Sequence, residues 1–300
     1  MAVAGGSRAR LAYVAESSYG VTPSNPAFKV INPTGHSVGL EKEGFMSETI
    51  RSDRQINDFR HGVRQSAGEV GFEFRDASLD DWLEAALMGT WTADALKAGT
   101  TRRSFTIERY FADIARYRWS VGCEINSLSI ECPASGIVTG SFGIIGKDDT
   151  GSGTAIAGAA YTDDPTEIVM DSLSGSVLIG TAAIGVITGI SLSLENAIEN
   201  QAVVGENTRI RGAAGRSNLT GQVTAFYEDD TLLDLFDNED ETSITFELTD
   251  GVAVYTFELP RVKFNGGKPE VSGEREITLT LPFQALLSDA DDTQIIITRA

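Results

Sequence analysis

The sequence predicts a mainly β fold with two tandem β-sandwich or barrel domains, each carrying one short α-helix and related by internal duplication. The chain has 300 residues, which is enough for two domains of ordinary size. It contains 31 glycines, and segments with a helical period are few, which favours strands over helices. One segment also occurs twice, about half the chain length apart, and a repeat of that length indicates two domains of one fold.

The repeated segment is a strand followed by a helix. Residues 68–83 align with residues 221–236 without a gap, and in both copies apolar residues alternate along the strand. The residues that follow are apolar at i, i+3 and i+4, which is the spacing of one helix face. These residues are Leu79, Trp82 and Leu83 in the first copy and Leu232, Leu235 and Phe236 in the second. Ser78 and Thr231 are predicted to be the N-caps of the two helices.

The other elements of the first half follow in chain order. Residues 1–46 indicate an N-terminal arm and the first strands, and residues 47–67 are polar and rich in arginine. Alternating apolar residues then predict strands at 104–109, 115–121, 124–131 and 137–145. Residues 147–165 are rich in Asp, Gly, Ser and Thr, which predicts a linker. The predicted domains are therefore residues 1–155 and 156–300.

The second half repeats this order. Strands are predicted at 176–179, 186–194, 243–248, 252–259, 276–281 and 295–298. Residues 172–194 carry no charge and are long enough to span a bilayer. However, glycines interrupt this stretch and its end alternates cleanly, so it is interpreted as β-strands joined by a tight turn.

The composition limits the function. The formal net charge is −19, which disfavours binding of nucleic acid phosphates over the whole surface. Two cysteines, Cys123 and Cys132, are too few for a disulfide framework and are interpreted as packing residues in a reducing compartment. Neither His36 nor His61 stands at catalytic or metal-ligand spacing from a partner. The sequence therefore predicts no enzyme, no metal site and no cofactor.

Two arginine-rich stretches stand out in this acidic chain because they occupy equivalent places in the two halves. One interpretation is a pair of solvated hairpin loops. The other is a pair of arms that reach acidic patches on neighbouring copies, where complementary charge fixes the register between subunits. On the second interpretation, the candidate contacts between subunits or rings are Arg51, Arg54, Arg60, Arg64, Arg209, Arg211 and Arg216.

Several segments, taken in their order along the chain, resemble the major tail tube proteins of long-tailed, siphovirus-like bacteriophages in a duplicated two-domain form. No single segment is as specific as a metal-binding motif, but together they cover nearly the whole chain. The segments are residues 11–23, 104–113, 121–130, 136–147, 212–221 and 259–263.

The resemblance implies a structural virion protein that self-assembles into stacked rings. In that family, inner sheets join into a continuous barrel, a long loop or hairpin reaches the next ring, and genomic DNA passes through the lumen without specific binding. The two repeats favour a trimeric ring with pseudo-sixfold symmetry over a hexameric ring. Other expected partners are the tape measure, tail terminator and tail tip proteins. The expected location is the virion tail, after assembly in the host cytoplasm. The lumen of the tube is expected to be acidic, and the DNA passes through it during ejection.

Other functions stay open at this point. The main alternative is a tandem β-sandwich binding module that recognises a carbohydrate or a surface protein, for example at the tail tip. Such a module needs exposed aromatic residues clustered on loops. A hydrolase with a carboxylate site and a tube from a contractile tail are further alternatives.

Overall fold

The structure is a computed structural model that describes residues 3–171, 176–180, 182–184, 186–271, 273–274 and 276–300. The elements of the first half are β1 (Ala9–Ala15), β2 (Ala27–Ile31), β3 (Gly35–His36), β4 (Gly39–Met46), β5 (Phe59–Glu73), α1 (Asp80–Ala86), β6 (Ala95–Lys97), β7 (Phe105–Phe111), β8 (Arg116–Pro133), β9 (Thr139–Gly146), β10 (Asp148–Ser152) and β11 (Ala160–Tyr161). The elements of the second half are β12 (Val177–Ile179), β13 (Ala182–Ala183), β14 (Ile187–Glu195), β15 (Asn218–Phe226), α2 (Thr231–Asp237), β16 (Glu241–Thr249), β17 (Val254–Phe264), β18 (Lys268–Glu270), β19 (Thr278–Ala285) and β20 (Ile296–Arg299). Short 3-10 helices lie at Gly6–Arg8 and Ala112–Ile114.

The prediction of a mainly β fold is confirmed. A long antiparallel sheet, which we call the central sheet, runs through both halves in the order β4, β5, β9, β8, β14, β15, β19 and β18. The strand β3 continues the β4 edge along β5. The halves meet where β8 pairs with β14, with Ser127 opposite Glu195 and Pro133 opposite Gly189.

Two flanking sheets branch from this central sheet because β8 and β17 are long enough to belong to two sheets each. The first part of β8 pairs with β7 and β10, and β7 continues through β1 to β2. The first part of β17 pairs with β16 and β20, and β16 continues through β12 to β13. Core residues fill the space between each flanking sheet and the central sheet.

The pairing scheme of the first half recurs in the second. In the central sheet, the pairs β4–β5, β5–β9 and β8–β9 have the counterparts β14–β15, β15–β19 and β17–β19. In the flanking sheets, the pairs β1–β2, β1–β7, β7–β8 and β8–β10 have the counterparts β12–β13, β12–β16, β16–β17 and β17–β20. The two halves therefore have the same strand topology.

Each helix begins close to the predicted place, but neither predicted N-cap is correct. The N-cap of α1 is Leu79, without a side-chain hydrogen bond, because the Ser78 hydroxyl turns back to the Arg75 carbonyl at 3.5 Å. The N-cap of α2 is Asp230, and Thr231 is already helical. The backbone N–H of Thr231 donates to the Asp229 carboxylate at 2.9 Å, so the acidic residue just before the helix takes the role expected of the threonine.

The two helices differ in burial. In α1 and at its N-cap, Trp82, Leu83 and Leu79 are buried, and the Trp82 ring lies 5.4 Å from that of Tyr13 and 5.1 Å from that of Phe142. Trp82 therefore joins a flanking strand to a central strand. In α2 only the first residue of the predicted apolar face is fully buried, and the other two are partly buried against the core; the three are Leu232, Leu235 and Phe236.

The predicted linker at residues 147–165 is wrong, because this segment contains β10 and β11. Asp149 in β10 is buried and accepts hydrogen bonds from Arg109, Arg118 and Ser120, so a polar sequence forms an ordered strand. Strand β11 pairs in parallel with β2, where the Tyr161 ring stacks on Phe28 at 5.5 Å.

Two further predictions concern the strands at 115–131 and the uncharged stretch at 172–194. The strands predicted at 115–121 and 124–131 form the single strand β8. The uncharged stretch 172–194 contains β12, β13 and most of β14, as its alternation predicted, while residues 172–175, 181 and 185 lie outside the described residues. Among the described residues, no helix is both long and apolar enough to cross a membrane.

Candidate assembly surfaces

The first candidate surface is the face of the central sheet that points away from the core. Along each strand, buried apolar residues alternate with half-buried or exposed residues of the other face. This other face, which we call the polar face, is rich in small hydroxyl and amide side chains. Its members include Ser127, Ser129, Ser141, Ser191, Ser193, Thr220, Gln222, Thr224, Thr278, Thr280 and Gln284.

The charges on the polar face are mostly negative. In the described strands, its acidic side chains are Glu41, Glu69, Glu73, Glu131, Glu195 and Glu270. Lys263 and Lys268 are positive charges on the same face, since they pair with Gln284 and Thr280. Because the acidic residues come from both halves, the polar face forms a continuous, weakly acidic surface across the β8–β14 junction.

The second candidate surface is the hairpin made by β4, the first part of β5 and residues 47–58 between them, which we call the tip hairpin. Its exposed apolar side chains are Phe45, Met46, Ile50, Ile56 and Phe59, and Ile50 is 98% exposed. The two phenylalanine rings lie over Gly62 and Gly44 on the opposite strand, where an added Cβ would come within 2.7 and 2.6 Å. Each ring covers a glycine of the opposite strand, and the exposed apolar cluster at the end of the hairpin makes it a candidate contact surface.

The arginines of the first stretch divide between this hairpin and its base. Arg51, Arg54 and Arg60 are exposed on the tip hairpin, where Arg51 pairs with Asp53 at 2.8 Å. Arg64, at the base, instead contacts Asp148 at 2.9 Å and donates to the Asp149 carbonyl at 2.8 Å. The first three are therefore available to a partner, while Arg64 joins β5 to β10.

The arginines of the second stretch mostly contact the first half of the same chain. Arg211 donates to the buried Glu124 carboxylate at 2.6 Å, and Arg102 donates to the same carboxylate at 3.1 Å. The Tyr19 ring lies beneath the Arg211 guanidinium, and burial, together with the nearby Glu124 charge, raises the pKa of Tyr19 to about 12. Arg211 therefore holds the second stretch against the first half.

Arg209 has a similar role on the other side of the loop. Its backbone N–H donates to the Arg64 carbonyl at 3.2 Å, and its guanidinium donates to the Asn200 carbonyl at 2.9 Å and lies 3.8 Å from Glu43. Arg216 is exposed beyond these contacts. The structure thus brings Arg64 together with Arg209, but it does not gather the seven candidate arginines into one surface.

The structure also shows what the sequence reasoning missed. The alternation at Ser127, Ser129 and Glu131 carries a sequence signal for the polar face, but the sequence does not show which strands lie side by side to form it. The buried role of Glu124 had no sequence signal, because its arginine partners come from distant segments. His36 lies half-buried in β3 and His61 stacks edge-on against Phe59 at 5.1 Å. In the part of the chain that is described, no group of three or more His, Cys, Asp or Glu side chains could hold a metal ion.

A mainly β chain with a continuous polar sheet face and a projecting apolar hairpin presents candidate surfaces for assembly with other chains. The family of phage tail tube proteins matches residues 6–285, and the chain therefore belongs to that family. This membership confirms the predicted tail tube family and makes the chain a structural protein of a phage tail. Its siphovirus-like, long-tailed origin and its internal duplication stay predictions. Membership of a structural family implies a role without catalysis. No curated protein sequence matches the chain significantly.

Proposed function

We propose that this protein assembles into rings that stack into the tail tube, with the polar face of the central sheet lining the lumen. The favoured ring is a trimer with pseudo-sixfold symmetry, and a hexamer of the whole chain is the alternative. DNA passes along the lumen during ejection into the host, and assembly takes place in the host cytoplasm. The tape measure, tail terminator and tail tip proteins are its proposed partners within the tail.

The observation that carries the proposal is the chemistry of the polar face. Hydroxyl and amide groups spread over both halves offer hydrogen bonds to water but no fixed positive charge, and glutamates such as Glu69, Glu131 and Glu195 repel phosphates. Screening limits this repulsion to about 10 Å at 0.1 M salt, so it acts across the narrow gap between the wall and the duplex. Such a surface lets DNA slide without binding.

The recurrence of one pairing scheme supports internal duplication. A trimer of duplicated chains presents six similar units around the axis, which is the source of the proposed pseudo-sixfold symmetry. The contacts of Tyr161 with Phe28, and of the Met170 N–H with the Phe74 carbonyl at 2.8 Å, support a domain boundary near residue 171. This boundary is later than the boundary at 155 that the sequence suggested.

The tip hairpin is the proposed contact to the next ring. It projects from the edge of the central sheet and carries exposed apolar side chains together with Arg51, Arg54 and Arg60. Burial of this apolar cluster against a neighbouring copy lowers the free energy of association. The arginines pair with acidic groups on that copy and so fix the register between the two copies.

Negative-stain electron microscopy of the concentrated, purified protein tests this proposal. We expect rings or tubes with a central hole, and averaged end-on views give the symmetry. Particles that stay small at every salt and protein concentration, even with the tail tip complex added as an initiator, would contradict the tube. Binding of such particles to a glycan or to host surface proteins would favour the tandem binding module instead.

Reversing charge on the polar face tests the acidic lumen separately. Tubes of a Glu69→Lys, Glu131→Lys, Glu195→Lys triple variant should retain DNA that wild-type tubes release, and the retention should weaken as salt rises. A matched control reverses three exposed acidic residues outside the central sheet, at Asp237, Asp240 and Asp289. Equal DNA retention by both variants would contradict a lumen lined by the polar face.

A further inference from the structure

We propose that each copy joins the next by pairing the β3–β4 edge of its central sheet with the β18 edge of the neighbour, in one defined register. Gly39 of one copy lies opposite Lys268 of the next, and the strands run antiparallel. The partner is a second copy of this chain. The inference rests on the proposed ring, because it states which strands close that ring.

The two edges are suited to each other because they are the two ends of one sheet. Strands β3 and β4 pair only with β5, and β18 pairs only with β19, within the described residues. An open strand edge presents N–H and C=O groups that can pair with another chain. Unlike edges make a head-to-tail contact, which closes into a ring when the rotation between copies allows it.

The register of the β3–β4 edge follows from the internal repeat. The repeat alignment makes Ala67 of β5 equivalent to Thr220 of β15. Gly39 pairs with Ala67, and Ser193 pairs with Thr220. Gly39 is therefore the first-half equivalent of Ser193.

The register of the β18 edge follows in the same way on the other side of the sheet. Ser141 and Thr280 are equivalent, since each pairs with the same position of the repeated strand. Ser129 pairs with Ser141, and Lys268 pairs with Thr280. Lys268 is therefore the second-half equivalent of Ser129.

We call the line where two paired strands join the halves of one chain, or two copies, a seam. The seam between β8 and β14 inside the chain then provides the template for the seam between chains. Within one chain, Ser193 of β14 lies opposite Ser129 of β8. Replacing each residue by its equivalent places Gly39 opposite Lys268 of the neighbouring copy. All six seams of a pseudo-sixfold ring then have the same strand register.

The backbone direction at the β3–β4 edge fits this register. The Ser37 N–H donates to the Glu69 carbonyl in β5 at 2.8 Å. Because this direction alternates along a strand, Ser37 and Gly39 point their polar groups towards β5, and Val38 points towards the open edge. Gly39 and Lys268 therefore form a non-hydrogen-bonded pair, in which the Cα atoms lie about 4.5 Å apart.

Residue Pro269 gives an independent argument. In the proposed register it lies opposite Val38, where its ring nitrogen has no hydrogen to donate to the Val38 carbonyl. That carbonyl already accepts a hydrogen bond from the buried Arg109 guanidinium of its own chain. The missing N–H of Pro269 therefore lies opposite a carbonyl that already has a hydrogen bond, so the proline destabilises the pairing between copies very little.

Charge complementarity supports the same register. Glu41 lies two residues along the strand from Gly39 on the same face, which makes it a diagonal neighbour of Lys268 across the seam. Both side chains are exposed in the single chain. A long lysine side chain reaches a diagonal carboxylate, so the pair adds an attractive contact between copies.

Cross-linking in assembled rings tests the register. The variant Gly39→Cys, Lys268→Cys places two thiols within the Cα range of 4.4–6.8 Å that a disulfide needs. A Cβ at Gly39 meets only ordinary contacts at 3.7 Å, so this variant keeps its fold. The native Cys123 and Cys132 are buried, and burial raises the pKa of Cys132 to about 12, so neither competes. The control variant Glu41→Cys, Glu270→Cys is offset by four residues, or about 13 Å, in the proposed register.

On mild oxidation, we expect the first variant to lose its monomer band on a non-reducing gel. A ladder of oligomers replaces it and stops at the number of chains in the ring, while the control stays monomeric. Rings in the microscope with no ladder from the first variant, or with a ladder from the control instead, overturn the register and leave the tube intact. Single particles without rings contradict the tube and the seam together.

Discussion

The two hairpins β4–β5 and β14–β15 start from the same pairing and end in different places. Residues 47–58 of the first project into solvent with their apolar side chains exposed. Residues 196–217 of the second fold back onto the first half, where Arg211 meets the buried Glu124. The two halves therefore have the same strand topology, but the segments that connect their strands differ. One connection is exposed to solvent, and the other joins the two halves of the chain.

The helices show the same difference. Helix α1 is followed by a long connection that contains β6, which pairs with β20 of the second half. Helix α2 is separated from β16 by only three residues, 238–240. Tyr255 of the second half also donates to Asp80 of α1 at 2.8 Å. The first helix is therefore packed by both halves, which explains why it is the more buried of the two.

The largest expected effect compares the equivalent positions Trp82 and Leu235. The variant Trp82→Ala should destabilise the protein by about 3–5 kcal/mol, because it leaves a cavity among Tyr13, Phe105 and Phe142. The variant Leu235→Ala should cost less than about 2 kcal/mol, because Leu235 is only partly buried. Urea unfolding monitored by circular dichroism measures both. Equal losses would mean that the two helices pack alike.

The second prediction compares the glycines that begin the repeat, Gly68 and Gly221. A Cβ at Gly68 would lie 2.5 Å from the Val38 backbone, and its φ of +148° disfavours any other residue. A Cβ at Gly221 would lie 2.3 Å from the Ser191 carbonyl oxygen, with no unusual φ. We expect Gly68→Ala to cost about 2–4 kcal/mol and Gly221→Ala about 1–3 kcal/mol. Thermal unfolding of the two variants ranks them, and the reverse order would show that the second half is the more tightly packed.

The third prediction concerns the connection that joins the halves. The variant Arg211→Ala should lower stability by about 1–2 kcal/mol, since it removes a charged hydrogen bond that is partly exposed to solvent. Glu124 keeps Arg102, which limits the loss. The double variant Arg211→Ala, Glu124→Gln separates the ion pair from other effects of the arginine. If Arg211→Ala costs nothing in the Glu124→Gln background, the pair accounts for the whole effect.

Much of the fold could be predicted from the sequence because it follows from local periodicity. The repeat, the helix face at Leu79 and Trp82, and most strands have patterns of period 2 or 3.6. Strand β10 had no such pattern. Its buried residue Asp149 is stabilised by Arg109 and Arg118, which belong to other strands, so its sequence is typical of a linker.

The candidate surfaces were less predictable, because the sequence around an arginine does not show which group its side chain contacts. Arg54 and Arg211 stand in similar polar, glycine-rich stretches, yet one is exposed at a hairpin tip and the other contacts a buried carboxylate. The difference depends on where the chain folds back, which is a tertiary property. The alternation at residues 124–131 predicts the strand, but only the strand order shows that its polar face joins the polar face of the second half.

The smallest expected effect on stability comes from reversing one arginine in each of the two arginine stretches. The two variants should differ in assembly instead. Arg54→Glu and Arg216→Glu should each change the free energy of unfolding by less than about 0.5 kcal/mol, since both side chains are exposed. Arg54 lies on the projecting hairpin, so its reversal should lower the yield of tubes while single rings persist. Arg216 lies on the connection that folds back, so its variant should assemble as the wild type does. Tube lengths and ring counts in electron micrographs at equal protein concentration measure the difference, and a loss of tubes with Arg216→Glu alone would move the contact between rings to the second half.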